Sequence, residues 1–217
     1  MWGRYYYPTL TKKKEMSNKK LFFIYGPMNS GKSLHLLAKA YNFEERNIPF
    51  LLLKTKIDDR DGVNVIHSRA LGCRPCTGID INTNVLTLIE DEMLKQNKVF
   101  KWILVDESQF LTTKQINQLS EVVDKHNINV ICYGLRTDFR GELFEGSKRL
   151  FEIADSMEEL KCSCECGNKA LINARFDGNG NLVLHGEQVE IGGNERYISL
   201  CRKCFNNKIK NLIKNNE

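Results

Sequence analysis

No stretch of the 217-residue chain approaches the roughly 18 consecutive apolar residues that a membrane-spanning helix needs. A membrane partner is therefore not expected. The basic stretch Lys12-Lys13-Lys14 is followed by neither an apolar h-region nor a small-residue cleavage site, so no secretory signal is read there and a cytoplasmic location is expected. Internal repeats and low-complexity tracts are missing too, which sets aside solenoids and disordered arrays. There is also no dense basic stripe. The net charge of +5 is mild and dispersed. It suits a phosphate-bearing ligand, and no nucleic-acid partner is expected. Lys208, Lys210 and Lys214 read as the solvated face of a helix. The eight cysteines are not spread like a secreted disulfide framework. Close pairs in a chain without export signals point to metal binding or free thiols.

What is present reads as one α/β domain with a small appendage. Residues 1–15 stand apart as a leader or arm. The apolar run Leu21–Tyr25 predicts a buried strand ending at a glycine. Leu34, Leu37, Ala38 and Tyr41 recur at helical spacing, and Phe50–Leu53 predicts the next strand. That βαβ order implies a parallel sheet. Residues 55–77 read as a long loop, 85–96 as a helix, 99–105 as a strand, and 129–133 as another. Thr112 or Thr113 caps a helix running to about His126. Residues 136–151 read as a lid continuing into a short helix. Near Glu159 the character changes to short strands, turns and five of the eight cysteines. The expected division is 16–158 for an ATP-binding domain and 159–217 for a metal-binding one.

Gly26, Pro27, Met28, Asn29, Ser30, Gly31, Lys32 and Ser33 meet the spacing G-x-x-x-x-G-K-S. Glycines let backbone N–H groups curl around phosphate oxygens, Lys32 brings a charge to the β- and γ-phosphates, and Ser33 coordinates Mg2+. The match follows a buried strand and opens a helix whose positive end faces the same phosphates. A second strand ends in Asp106-Glu107. Asp106 is expected to hold the magnesium of ATP. Glu107, in the crevice at a strand's C-terminal end, is placed to take a proton from an attacking hydroxyl.

Cys201-Arg-Lys-Cys204 is a C-x-x-C pair, and Cys162, Cys164 and Cys166 lie upstream of it. By spacing alone any two of those three complete a four-thiolate zinc site. Cys164 and Cys166 are favoured because Gly167 comes directly after and permits a tight knuckle. A four-thiolate zinc has no open position and is structural. Cys73 and Cys76 read as free thiols in a loop, Cys132 as core, and His185 as a surface residue.

Four motifs in this order resemble the zinc-containing type II thymidine kinases, in a bacterial branch. They are the phosphate loop, Ile57-Asp58-Asp59-Arg60, Asp106-Glu107-Ser108-Gln109-Phe110, and Ile191-Gly192-Gly193-Asn194-Glu195-Arg196-Tyr197 before Cys201. The resemblance spans residues 20–205. It implies a RecA-like P-loop sheet with flanking helices, plus a zinc-ribbon-like domain carrying a lasso loop. It also implies transfer of the γ-phosphoryl of ATP to the 5′-hydroxyl of thymidine or deoxyuridine, in pyrimidine deoxynucleotide salvage. Glu107 matches the family's general base, and Asp58 and Arg60 match active-site positions. Phe110, Leu135, Phe139 and Phe144 match the base pocket. Gln188, Val189, Glu190, Ile191, Gly192 and Tyr197 match the loop that closes over the nucleoside. The family implies a homotetramer inhibited by thymidine triphosphate. Its animal pattern has C-x-x-C upstream, whereas Ser163 stands at that count here, and the bacterial C-x-C-G form fits Cys164 and Cys166. Cys73 and Cys76 lie outside the family pattern.

The competing reading is a nucleic-acid-dependent ATPase with a RecA-like core and a zinc ribbon. The cysteine region has few aromatics for base stacking, which counts against it.

Overall fold

The computed structural model describes residues 19–57, 62, 64–189 and 196–215. The leader, Asp58, Arg60, Glu190, Ile191 and Gly192 lie outside the described residues.

Strands β1 (Leu21–Tyr25), β2 (Phe50–Thr55), β5 (Thr77–Ile79), β6 (Trp102–Asp106), β7 (Asn129–Gly134) and β8 (Ser156–Glu159) form one sheet. Their order is β5-β2-β6-β7-β1-β8, and every pair is parallel. The strands read as continuous apolar runs because both faces are covered. Leu51, Leu53, Ile103, Val105, Val130 and Cys132 point to one core. That core is closed by α2 (Val85–Lys95), α3 (Thr113–His126) and α4 (Glu145–Ile153). The alternate residues Leu52, Leu104, Ile131 and Tyr133 point to the other, under α1 (Lys32–Glu45). Among the described residues no helix is long and apolar enough to cross a membrane.

Helix starts follow local chemistry. Thr112 caps α3 in a reciprocal box: its side chain accepts from Gln115 N at 3.2 Å, and Gln115 Oε1 accepts from Thr112 N at 3.1 Å. Gln115 Nε2 also donates to Asp80 O and Thr83 O at 2.8 and 3.1 Å, tying α3 to the loop before α2. By contrast, α1 begins at Gly31 with φ +83° and no side-chain cap. Its first N–H groups are thus left to a ligand.

Two loops read from the sequence differ here. Residues 55–77 contain a hairpin, β3 (Val65–Ser68) with β4 (Gly72–Pro75), and then the edge strand β5. Ile66 is fully buried beneath α1 and anchors the hairpin, although the charges around it hide the pattern. Residues 136–144 are a tight loop rather than a lid. The Asp138 carboxylate accepts from Arg140 N and Glu142 N at 2.9 and 3.0 Å, and Thr137 bridges to Leu143. Cys73 and Cys76 are free thiols, as read, but Cys73 lies within β4 and Cys76 directly follows it. Burial pushes the Cys76 thiol up to about 11. Cys132 is core.

After β8 the chain builds an antiparallel sheet, β10 (Leu182–Val183), β9 (Ile172–Phe176) and β11 (Tyr197–Leu200), backed by α5 (Arg202–Asn215). It has its own small core of Cys164, Ala170, Ala174, Leu182, Leu200, Cys201 and Phe205.

Gly146, in the first turn of α4, sets how closely that helix approaches the short 3-10 turn Ser108–Phe110. A Cβ there would lie 2.5 Å from Ser108 O and 2.7 Å from Leu111 O, both backbone atoms. Alanine normally favours a helix over glycine, but the overlap outweighs that gain. Gly146→Ala is expected to lower stability by about 1–3 kcal/mol in urea unfolding, the range for forced overpacking. A stabilised variant would show that α4 moves aside freely.

Candidate active site

Strand ends from both sheets meet at one cavity of about 480 Å³. Because the larger sheet is parallel, the C-terminal ends of β1, β2, β6 and β7 all open on the same side, where α/β sheets bind ligands. The β9–β11 sheet closes the far wall with Asn173 and Tyr197.

The loop after β1 supplies Met28, Asn29, Gly31, Lys32 and Ser33 to the cavity wall. Gly26 and Pro27 do not line this cavity and face a separate small crevice with Arg136, Glu159 and Leu171. A Cβ on Gly26 would overlap Leu160 O and Ser30 Oγ, both at 2.5 Å, so only glycine fits there. Asn29 (φ 60°) and Gly31 (φ 83°) are left-handed, which turns successive peptide N–H groups inward. Ser30 Oγ is buried in the loop without a hydrogen-bond partner. Lys32 is buried, with its Nζ 2.8 Å from Pro27 O and 3.5 Å from Gly26 O. The loop's uncapped amides, the orphaned hydroxyl and this ammonium together suit a polyphosphate.

Across the cavity, Ser33 Oγ donates to Asp106 Oδ2 at 3.1 Å. Burial, then the neighbouring Glu107 carboxylate, raise Asp106 to about 7; hydrogen bonds from Glu107 N–H and Ser33 oppose this. Glu107 has φ 53° and ψ 36°, a left-handed conformation uncommon for a side chain of this size. That costs about 1–3 kcal/mol and marks a site held by its surroundings. Glu107 N–H returns to Asp106 Oδ1 at 3.0 Å, and Thr55 Oγ1 donates to Glu107 O at 3.4 Å. Gln109 fixes the carboxylate: its Nε2 lies 2.5 Å from Glu107 Oε2, while its Oε1 accepts from Leu135 N at 3.0 Å.

The other half of the cavity is largely apolar and aromatic. Phe110 and Phe144 meet edge-to-face with centroids 5.6 Å apart. Leu135, Phe139, Val189 and Tyr197 complete the wall, and Gln188 donates to the buried Asp138 at 3.2 Å. One cavity wall therefore carries the loop residues with Lys32, an aromatic and apolar cluster, and the Asp106 and Glu107 carboxylates.

Four residues at this site were not foreseen from sequence. Lys54, the last residue but one of β2, is 3 % exposed and donates to Val65 O at 3.2 Å. Its signal was a lysine closing an apolar run. Gln109, Asp138 and Asn173 each also bond a partner remote in sequence, Leu135 N, Gln188 and Met28 N, which no local pattern announces.

Away from the cavity, Cys164, Cys166, Cys201 and Cys204 bring their sulfurs within 4.8 Å of one another, the spacing of one metal-thiolate site. Gly167, at φ +82°, turns the first knuckle, and Gly167 N–H reaches Cys164 O at 2.9 Å. Cys204 N–H points at Cys201 Sγ from 3.4 Å. Backbone and side-chain N–H groups of Asn168 pull the Cys166 thiol down to about 6, favouring the thiolate that a metal takes. Cys162 lies outside the group and His185 is exposed.

A sequence profile described as thymidine kinase matches residues 19–205. The thymidine kinase of Salmonella choleraesuis (strain SC-B67) is 47% identical over 191 residues, covering 88% of this chain and 92% of the relative. That of Mannheimia succiniciproducens is 47% identical over 193 residues, covering 89% and 98%. That of Xanthomonas campestris pv. campestris is 49% identical over 187 residues, covering 86% and 88%.

The raised Asp106 has a stability consequence. Its folded value, about 7, lies above the ordinary 3.8. The unfolded chain therefore ionises first, and stability declines as pH rises between those values. In ligand-free protein without divalent metal, Asp106→Asn is expected to be more stable than the parent at pH 8, with the difference closing near pH 4. Urea titrations at both pH values measure this. Equal stability at pH 8 would mean the carboxylate is solvated.

Proposed function

The chain belongs to the thymidine kinase family, and on that premise we propose how its residues transfer the γ-phosphoryl group of ATP to the 5′-hydroxyl of thymidine. Deoxyuridine, which lacks only the ring methyl, is accepted too. The observation that carries this reading is Glu107, held between a phosphate-binding loop and an aromatic slot in one cavity.

The triphosphate of ATP lies along residues 26–33. Inward N–H groups and the start of α1 meet its oxygens, and Lys32 leaves the loop carbonyls for the β- and γ-phosphates. Ser33 and Asp106 hold Mg2+, which neutralises charge on the β- and γ-oxygens when bound. Their 3.1 Å contact brings two oxygen donors to one point, as a hard cation requires. Asp106 then faces a cation and ionises despite its burial.

Thymidine lies in the aromatic half, its ring against Phe110 and bounded by Leu135, Phe139, Phe144 and Tyr197. Gln188 and Val189 stand on the cavity wall, and family resemblance assigns Glu190, Ile191 and Gly192, with Asp58 and Arg60, to substrate binding and catalysis as well. Glu107 takes the proton of the 5′-hydroxyl as that oxygen bonds to the γ-phosphorus. The bond from that phosphorus to the β,γ-bridging oxygen breaks, and ADP leaves. Gln109 keeps the carboxylate aimed. Excluding water from this slot suppresses hydrolysis of ATP.

Cys164, Cys166, Cys201 and Cys204 hold a structural Zn2+. The 3.6 Å separation of Cys166 and Cys201 sulfurs is close to the ~3.8 Å that four Zn–S bonds of about 2.3 Å give in a tetrahedron. The proposed division is an ATP domain (16–158) and a zinc domain (159–217), with all four of these cysteines in the second. Family resemblance supports a cytoplasmic homotetramer. Thymidine triphosphate inhibits because it carries both the ring and the triphosphate that the two halves of the cavity accept. Nothing favours the competing nucleic-acid-dependent ATPase.

A panel of nucleosides with ATP tests the reading: thymidine and deoxyuridine should be phosphorylated, and purine nucleosides should not. ATP turnover driven by single-stranded DNA with no nucleoside product would overturn it. Glu107→Gln keeps the Gln109 contact and should lower kcat at least ~100-fold with little change in KM. Near-parental turnover would remove Glu107 from the base role. Metal analysis should find one zinc per chain, lost in Cys201→Ser together with protease resistance of residues 159–215. A zinc-free, fully active chain would contradict the structural role.

A further inference from the structure

The phosphate loop is held from outside its own domain. Met28, its third residue, donates its backbone N–H to Asn173 Oδ1 at 2.7 Å. Its carbonyl accepts from Ser199 Oγ at 2.8 Å. Asn173 lies on β9 and Ser199 on β11, and the two are register partners, so their side chains stand side by side. Ser199 Oγ also lies 3.4 Å from Asn173 Oδ1. Asn173 is 3 % exposed, and its Nδ2 reaches Thr137 O at 3.4 Å. Both polar atoms of one loop residue are thus satisfied by side chains 145 and 171 positions away.

Elsewhere in the loop, Lys32 Nζ holds Pro27 O and Gly26 O, and Ser30 N–H reaches Pro27 O at 3.4 Å, so Met28 is the loop residue held from the other sheet. Asn29 is left-handed and Gly31 is too, and no side chain caps α1. A glycine-containing loop of that shape has other conformations open to it, and freezing one costs entropy when phosphate binds. Fixing both polar atoms of Met28 orients the peptide planes on either side of it before ATP arrives. The fixing groups belong to the sheet that carries the cysteines: Leu200 ends β11, and Cys201 comes next.

We propose that Asn173 and Ser199 are positioning residues that hold the phosphate loop in its ATP-binding shape from the cysteine-bearing sheet. The assignment rests on reading residues 26–33 as the ATP site. It makes nucleotide affinity depend on a sheet that contributes no group to the triphosphate.

The test is ATP binding by titration calorimetry without nucleoside, alongside steady-state constants for both substrates. Ser199→Ala should weaken ATP binding about 2- to 10-fold, the loss of one net hydrogen bond, and Asn173→Leu should do so at least as much. Ser199→Thr restores the hydroxyl and should bind within about twofold of the parent on the same scale. In Ser199→Ala, whose side chain does not line the cavity, KM for thymidine and zinc content should stay at parental values. Parental ATP affinity in both Ser199→Ala and Asn173→Leu would overturn the proposal, and so would a Thr variant as weak as the Ala variant. Hydrogen exchange of the unaltered chain covers variants that fail to fold. The Met28 amide should exchange as slowly as β9, and exchange at the rate of an open loop would refute the clamp. Because ATP binding is read without nucleoside, a wrong acceptor assignment would show separately, as bound ATP with no nucleoside phosphorylated.

Discussion

The hydrogen bond from Ser33 to the buried carboxylate of Asp106 joins the two strand ends on which the site is built. β1 delivers the phosphate loop and β6 delivers the acids, with β7 lying between them in the sheet. A parallel sheet brings both ends to one edge without further devices. Burial and the neighbouring Glu107 carboxylate raise Asp106 to about 7, well above the ordinary carboxylate value. The left-handed turn at Glu107 follows directly, and Gln109 holds its carboxylate.

Around that bond the supports are arranged in layers. Gln109 holds Glu107 and the backbone of Leu135 at once, and Gly146 lets α4 press on the turn that carries Gln109. On the opposite side, the cysteine-bearing sheet reaches over to Met28. The left-handed strain at Glu107 is tolerable because these contacts over-determine it. Burial of two apolar sheet faces stabilises a frame that holds a few polar groups in place.

Much of this was legible in the sequence because it is local. An apolar run, a glycine-rich loop and a helix are contiguous, so β1, the loop and α1 could be read together, and a cap at Thr112 or Thr113 announced α3. The C-x-C-G knuckle is likewise a matter of four residues. What escaped was either short or remote. The β3–β4 hairpin has four-residue strands among charges, and Ile66 is its one large apolar residue fully in the core. Asn173 and Asp138 matter through partners 145 and 50 positions away, which no periodicity encodes. Lys54 looked like the end of a strand, and only the parallel register with Asp106 places it at the site.

The cavity is held to pass phosphoryl groups to a nucleoside hydroxyl and not to water. The most direct test follows the label from γ-labelled ATP in the presence of thymidine. Nearly every label leaving ATP should appear in thymidine 5′-monophosphate, with little inorganic phosphate. Label appearing chiefly as inorganic phosphate, at a rate indifferent to thymidine, would contradict that assignment.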